Sequence, residues 1–118
     1  MATEALIIMA VCLRGTWKLP IAYFFQNKIT GSFQAELIKV AVKSCHERAI
    51  RVHSLTFDGC SANPGSMQKL ANSVATLEKF SHPCGGTDIY MILDACHMIK
   101  LARNALREYF LYLIYFLN

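Results

Sequence analysis

Apolar positions come in runs and in periodic sets, and each predicts an element. "EALIIMAVCL" (4–13) is an almost continuous apolar run rich in β-formers, which predicts a buried strand. "RGT" turns the chain, and "WKLPIAYFF" (17–25) predicts a second strand, so the pair reads as a hairpin. Pro20 cannot donate to a ladder, which places this strand at an edge or gives it a bulge. After the loop "QNKITGS", the spacing of Phe33, Leu37, Val40, Ala41 and Cys45 predicts a helix from Phe33 to about Arg48, with Ser32 as N-cap. "AIRVHSLTF" (49–57) predicts a third strand. "CSANPGS" leads into a helix over roughly Met67 to Phe80, with Ser66 as its cap. "SHPCGG" is a loop with strong breakers. "TDIYMIL" (87–93) predicts a fourth strand, and a long helix follows from Ala95 to the end. The order β-β-α-β-α-β-α places the chain in the α/β class with a mixed sheet.

Composition sharpens this picture in two ways. Of the 118 residues, 54% are apolar and only 17% are charged, and the mean hydropathy is +0.32. One domain, or a piece of one, can fill a core with that and still have apolar surface for a partner to cover. Twelve basic against eight acidic residues leave +4, a bias that permits contact with nucleic acid without requiring it. The cysteines, Cys12, Cys45, Cys60, Cys84 and Cys96, are odd in number and scattered. A secreted disulfide scaffold is therefore not expected. "MATE" puts an acid where a signal peptide needs basic residues. The terminal "YFLYLIYFL" falls far short of the ~20 residues of a spanning helix, so no membrane span is expected.

The chemistry gathers where strands end. Asp58 closes the third strand and Asp94 the fourth, and strand carboxyl ends are where α/β sheets collect ligands. Two carboxylates brought together repel unless a cation or proton lies between them. A divalent metal with oxygen ligands resolves that repulsion and suits phosphoryl chemistry. Beyond the strand, Asp94, His97, Lys100 and Arg103 recur every three residues and read as a slanting polar stripe on the helix. Plainer readings stand beside these. Asp58-Gly59 is a common turn dipeptide, and His97 can be a packing histidine bonded to Asp94. Lys100, Arg103 and Arg107 can be a solvated face, and His53 can simply point outward. A zinc set of His82, Cys84, Cys96 and His97 is not expected, because its spacing matches no knuckle.

Taken together, "EALIIMAVCLRGTWKLPIAYFF", "IRVHSLTFDGCSANPGSM", "FSHP" and "IYMILDACHMIKLARNAL" resemble the P-element transposase family, whose members include proteins with a THAP DNA-binding domain. The resemblance covers nearly the whole chain to about Leu106 and implies an RNase H-like catalytic domain. It implies Mg²⁺-dependent cutting and joining of DNA by three acids. The family's second acid matches Asp58, a metal ligand, and its D-x-x-H motif matches Asp94 and His97, which shape the catalytic site. The K-x-x-R-N part matches Lys100, Arg103 and Asn104, which approach DNA. It further implies a nuclear protein and, in intact members, GTP bound by an inserted domain.

Several family features have no counterpart among these residues. The first acid would lie before Met1, and the third, a glutamate, beyond the GTP-binding insertion. Neither that insertion nor a THAP zinc module is expected here. The partition implied is a partial RNase H-like domain over 1–106 and an apolar helical tail over 107–118. In such sheets the first strand is central, so an incomplete RNase H-like fold with unpaired inner edges is expected. Those edges would be covered by another copy or by a protein partner. Catalysis by the 118 residues alone is not expected, and the competing reading is a domesticated interaction module that is not an enzyme.

Overall fold

The leading apolar run folds back on its successor. In the computed structural model, which describes residues 4–59, 63–71 and 78–116, β1 (Glu4–Val11) pairs antiparallel with β2 (Lys18–Gln26). The Cys12 N–H donates to the Trp17 carbonyl across the turn. Ile8 faces Ala22 but Met9 faces Pro20, which leaves Ile21 as the extra residue of a bulge. Pro20 thus lies beside a bulge on an edge strand, the setting its missing N–H demands.

Helix α1 spans Gly31–Glu47. Its N-cap is Thr30, not Ser32: the Thr30 backbone is extended, and Oγ1 accepts the Phe33 N–H at 3.3 Å. The helix begins on glycine because its end meets backbone. A Cβ on Gly31 would lie 2.6 Å from the Gly65 carbonyl carbon in α2 (Asn63–Ala71). The buried face is Gln34, Ala35, Ile38, Val42 and Cys45, whereas Phe33 and Val40 are more than half exposed. The apolar positions of α1 make two overlapping stripes, and the one that fits the sheet is buried.

After α1, the Arg48 and Ile50 N–H groups both donate to the Cys45 carbonyl, and Ala49 N–H donates to His46. Ala49 adopts φ 58° to make this turn, a left-handed conformation that costs a residue with a Cβ. Ala49→Gly should therefore stabilise the chain by about 0.5–1 kcal/mol after the glycine's larger unfolded-state entropy is subtracted. A higher urea midpoint at unchanged slope is the expected reading.

Helix α2 begins at Asn63 rather than Met67, and Ser66 lies inside it. Its hydroxyl donates to the Asn63 carbonyl at 2.9 Å instead of capping the helix. Pro64 is tolerated because first-turn N–H groups have no helical acceptor. The helix expected to reach Phe80 does not do so. Lys79–Phe80 form a short strand, β4, antiparallel to β5 (Ile89–Leu93). A Lys79–Asp88 ion pair at 2.7 Å and the Met91 N–H to Glu78 carbonyl bond hold it there. Tertiary pairing thus overrides the helical pattern, and residues 72–77 of the expected helix lie outside the described residues. β3 is Ser54–Phe57, shorter than the apolar pattern predicts. It runs parallel to β5, from Ser54↔Tyr90 to Phe57↔Leu93. The sheet order is β3-β5-β4.

Helices α1 and α2 cover one face of that sheet. Ala35, Ile38, Val42, Met67 and Leu70 pack against Phe57, Phe80, Ile89 and Met91. On the opposite face Tyr90 and Ile92 are about half exposed. α3 (Ala95–Phe116) projects from the end of β5, crosses residue 107 without a break, and leaves Met98, Ile99, Leu101 and Leu106 exposed. Among the described residues no helix is long and apolar enough to cross a membrane. The hairpin does not join the three-stranded sheet. Between β1 and β3 lies a cleft of about 650 Å³, with Ile8, Val11, Ile38, Val42, Val52 and Leu55 on its walls. Among the described residues β1 pairs only with β2, and β3 only with β5, so each keeps an edge that no described strand covers. This is the incomplete mixed sheet that the motifs imply.

Candidate active site at the strand ends

The parallel register of β3 and β5 decides where the two aspartates go. Phe57 stands opposite Leu93, and the Asp94 N–H donates to the Phe57 carbonyl at 2.8 Å. Asp58 and Asp94 therefore leave neighbouring strands at the same edge of the sheet. Asp94 is half-buried and caps α3: its Oδ1 accepts the Cys96 N–H at 3.0 Å, and its carbonyl accepts the Met98 N–H. The Cys96 amide, and not the His97 ring, is the partner of that carboxylate. His97 sits one turn into α3 and lies against Gly59 instead. A Cβ on Gly59 would come 2.9 Å from His97 Cδ2, and Gly59 holds φ +83°. Gly59 is thus the floor under the imidazole, in a backbone conformation that favours glycine.

Asp58 is exposed but oriented from behind. Its Oδ1 accepts from Asn63 Nδ2 at 3.0 Å, and Asn63 Oδ1 accepts from Gln34 Nε2 at 2.9 Å. Asn63 is 1% exposed and Gln34 5%, so this relay ties α1 to the carboxylate through the interior, where such bonds resist exchange with water. Neither amide is evident in the sequence. Asn63 precedes Pro-Gly and reads as a loop residue, and Gln34 reads as a polar position beside an apolar stripe. The only signal was a glutamine within an otherwise apolar helical set.

The remaining candidates spread along α3. Steps of three turn a helix by about 60° each, so Arg103 lies roughly half a turn around from Asp94, and the four groups do not share one face. Lys100, Arg103 and Asn104 are exposed, with Arg103 Nη2 donating to Asn104 Oδ1 at 3.2 Å. His53 is exposed just before β3. Cys12, Cys45, Cys84 and Cys96 carry free thiols. Burial pushes the Cys45 thiol above its ordinary pKa, with Arg48 opposing, and so keeps it unreactive. Cys60 lies outside the described residues. Among the described residues no three His, Cys, Asp or Glu side chains come together to hold a metal ion. Asp58 and Asp94 together could supply at most two carboxylates to a divalent ion, which is not a complete protein cage.

The family described as TNP-like, RNase H N-terminal domain matches residues 1–71, a span that includes β1 to α2, Asp58 and the Gln34–Asn63 relay. The chain belongs to this TNP-like RNase H family. The human DNA transposase THAP9 is 29% identical over 113 residues, an alignment that takes in 92% of this chain and 12% of that protein. The chain therefore spans about an eighth of the length of that relative. Among solved structures, the Drosophila P element transposase strand transfer complex has the same fold, with a TM-score of 0.74 at 22% identity. That match covers 87% of this chain and 22% of the other. The TNP-like RNase H assignment agrees with the P-element resemblance of the motifs and with the incomplete RNase H-like sheet.

Proposed function

We propose that this chain is the catalytic-core segment of a P-element-type DNA transposase, acting in the nucleus on DNA. The observation that carries the reading is the register that sets Asp58 beside Asp94 with His97 one turn away. Asp58, fixed by Asn63, would supply a carboxylate to Mg²⁺. That ion would stabilise charge on the oxygens of a phosphodiester. Asp94 and His97 would shape the site around the DNA strand, and Lys100, Arg103 and Asn104 would meet phosphates. Supporting this are the family match, the human transposase relative and the shared fold.

By themselves, the 118 residues should not cut DNA. Two-metal phosphoryl transfer needs ligands on both ions to hold the attacking and leaving oxygens in line, and the described residues gather no group of three. Incubation of supercoiled plasmid with the chain and Mg²⁺ or Mn²⁺ should give no nicking above background, whereas nicking abolished by Asp58→Ala would make the chain a working nuclease. Binding to a DNA duplex should be weak and salt-dependent. Arg103→Ala should lower the slope of log K against log salt by about 0.9, the value of one lost phosphate contact. An unchanged slope would remove Arg103 from the DNA interface.

A second reading rests on the cleft between β1 and β3. Two open strand edges flank an apolar trough, the arrangement that β-strand addition uses. A protein partner or second copy covering those edges would make the chain an interaction module instead of an enzyme part. Dimers in sedimentation at micromolar concentration, with β1 and β3 amides protected from exchange, would favour it.

A further inference from the structure

Parallel strands β3 and β5 start together as well as end together, and a second cleft of about 370 Å³ opens at their starting end, with His46, Arg51, His82, Gly85, Gly86 and Thr87 on its walls. The strands between add about 13 Å, so this cleft is separate from the aspartate pair. The His46 and His82 rings stand 5.0 Å apart between centroids, tilted by 55°. Thr87 Oγ1 accepts from Arg51 Nη2 at 3.3 Å and so steadies the guanidinium. No carboxylate among the described residues pairs with Arg51, and Asp88 is held by Lys79. His82 Nδ1 accepts the Cys84 N–H at 3.1 Å, so the neutral ring carries its proton on Nε2 and has that donor to offer. Open space surrounds the Cβ positions of Gly85 and Gly86, which leaves the mouth wide.

The cleft therefore joins a guanidinium and two imidazoles, with no acid among the described residues on its walls. Two imidazoles without a third ligand among the described residues do not make a metal site. A guanidinium fork beside N–H donors matches a tetrahedral oxyanion, because charge-assisted bonds from a planar fork fit paired phosphate oxygens. We propose that this cleft binds a phosphate group.

The test is an NMR titration of the isotope-labelled 118-residue chain at constant ionic strength, with chloride replaced in turn by inorganic phosphate, pyrophosphate or a short oligodeoxynucleotide. The His46 and His82 ring signals and the Gly85 and Gly86 amides should follow one saturable curve. Arg51→Ala should weaken binding by roughly tenfold or more, as loss of a charged hydrogen bond does. Arg51→Lys, which keeps the charge and loses the fork, should recover part of that loss. Dispersed Phe57 and Met91 signals in both variants certify the fold. Tightest binding of pyrophosphate would identify a nucleotide-like ligand, and tightest binding of the oligonucleotide a nucleic-acid backbone. Shifts that do not saturate, or that persist in Arg51→Ala, would overturn the proposal.

Discussion

Asn63→Ala should destabilise the chain by about 2–3 kcal/mol, because it removes two hydrogen bonds and leaves the Gln34 amide buried without a partner. The relay makes this position more costly than its place after a loop implies. Gln34 Nε2 donates to Asn63, whose own amide donates to Asp58, while Gln34 Oε1 already has no partner among the described residues. Removing Asn63 strips Gln34 of its one side-chain bond among the described residues, in a site with almost no access to water. A double variant separates this from simple loss of packing. Gln34→Leu with Asn63→Leu replaces both polar ends by apolar ones, which can be close to neutral when shapes match. It should recover at least about 1 kcal/mol relative to Asn63→Leu alone, and the coupling between the sites measures the bond. Equilibrium urea unfolding supplies all the values. Strictly additive single effects would show that the two amides do not act together.

Legibility from sequence followed the range over which each feature is decided. The hairpin and the aspartate edge were readable because they rest on unbroken apolar runs and on where those runs stop, although β1, expected to be buried, leaves Ile7, Met9 and Val11 at least half exposed. Pro20 marked its strand as an edge strand or a bulged one, and it is both. Short-range choices that depend on tertiary contact were not readable. Thr30 takes the cap from Ser32 because Gly31 must press against the Gly65–Ser66 backbone, a contact between segments 34 residues apart in numbering. Lys79–Phe80 becomes a strand because β5 offers an edge and Asp88 an ion pair. Phe33 and Val40 keep helical spacing but face outward, because periodicity places apolar residues on a face without saying which of two overlapping faces the sheet covers. The polar stripe on α3 was the clearest overreading. A three-residue repeat is close to the helical period but not equal to it, and over nine residues the error amounts to half a turn.

Gly59→Ala should cost about 2–3 kcal/mol and should move His97 away from the aspartates. Two effects add at this position. The first is conformational: Gly59 holds φ +83°, where a Cβ costs about 1–2 kcal/mol. The second is contact. The new methyl would lie 2.9 Å from His97 Cδ2 and 3.4 Å from Leu101 Cδ1, so the ring must turn or α3 must lift. A ring edge yields more readily than backbone, so the conformational part is the larger. His97→Ala in the Gly59→Ala background removes the contact and leaves φ unchanged, and it should restore about 1 kcal/mol at most. Ring signals of His97 report the displacement independently of stability. A Gly59→Ala chain as stable as the parent, with His97 signals unmoved, would show that Gly59 does not fix the imidazole. The geometry of the proposed site would then rest on the strand register alone.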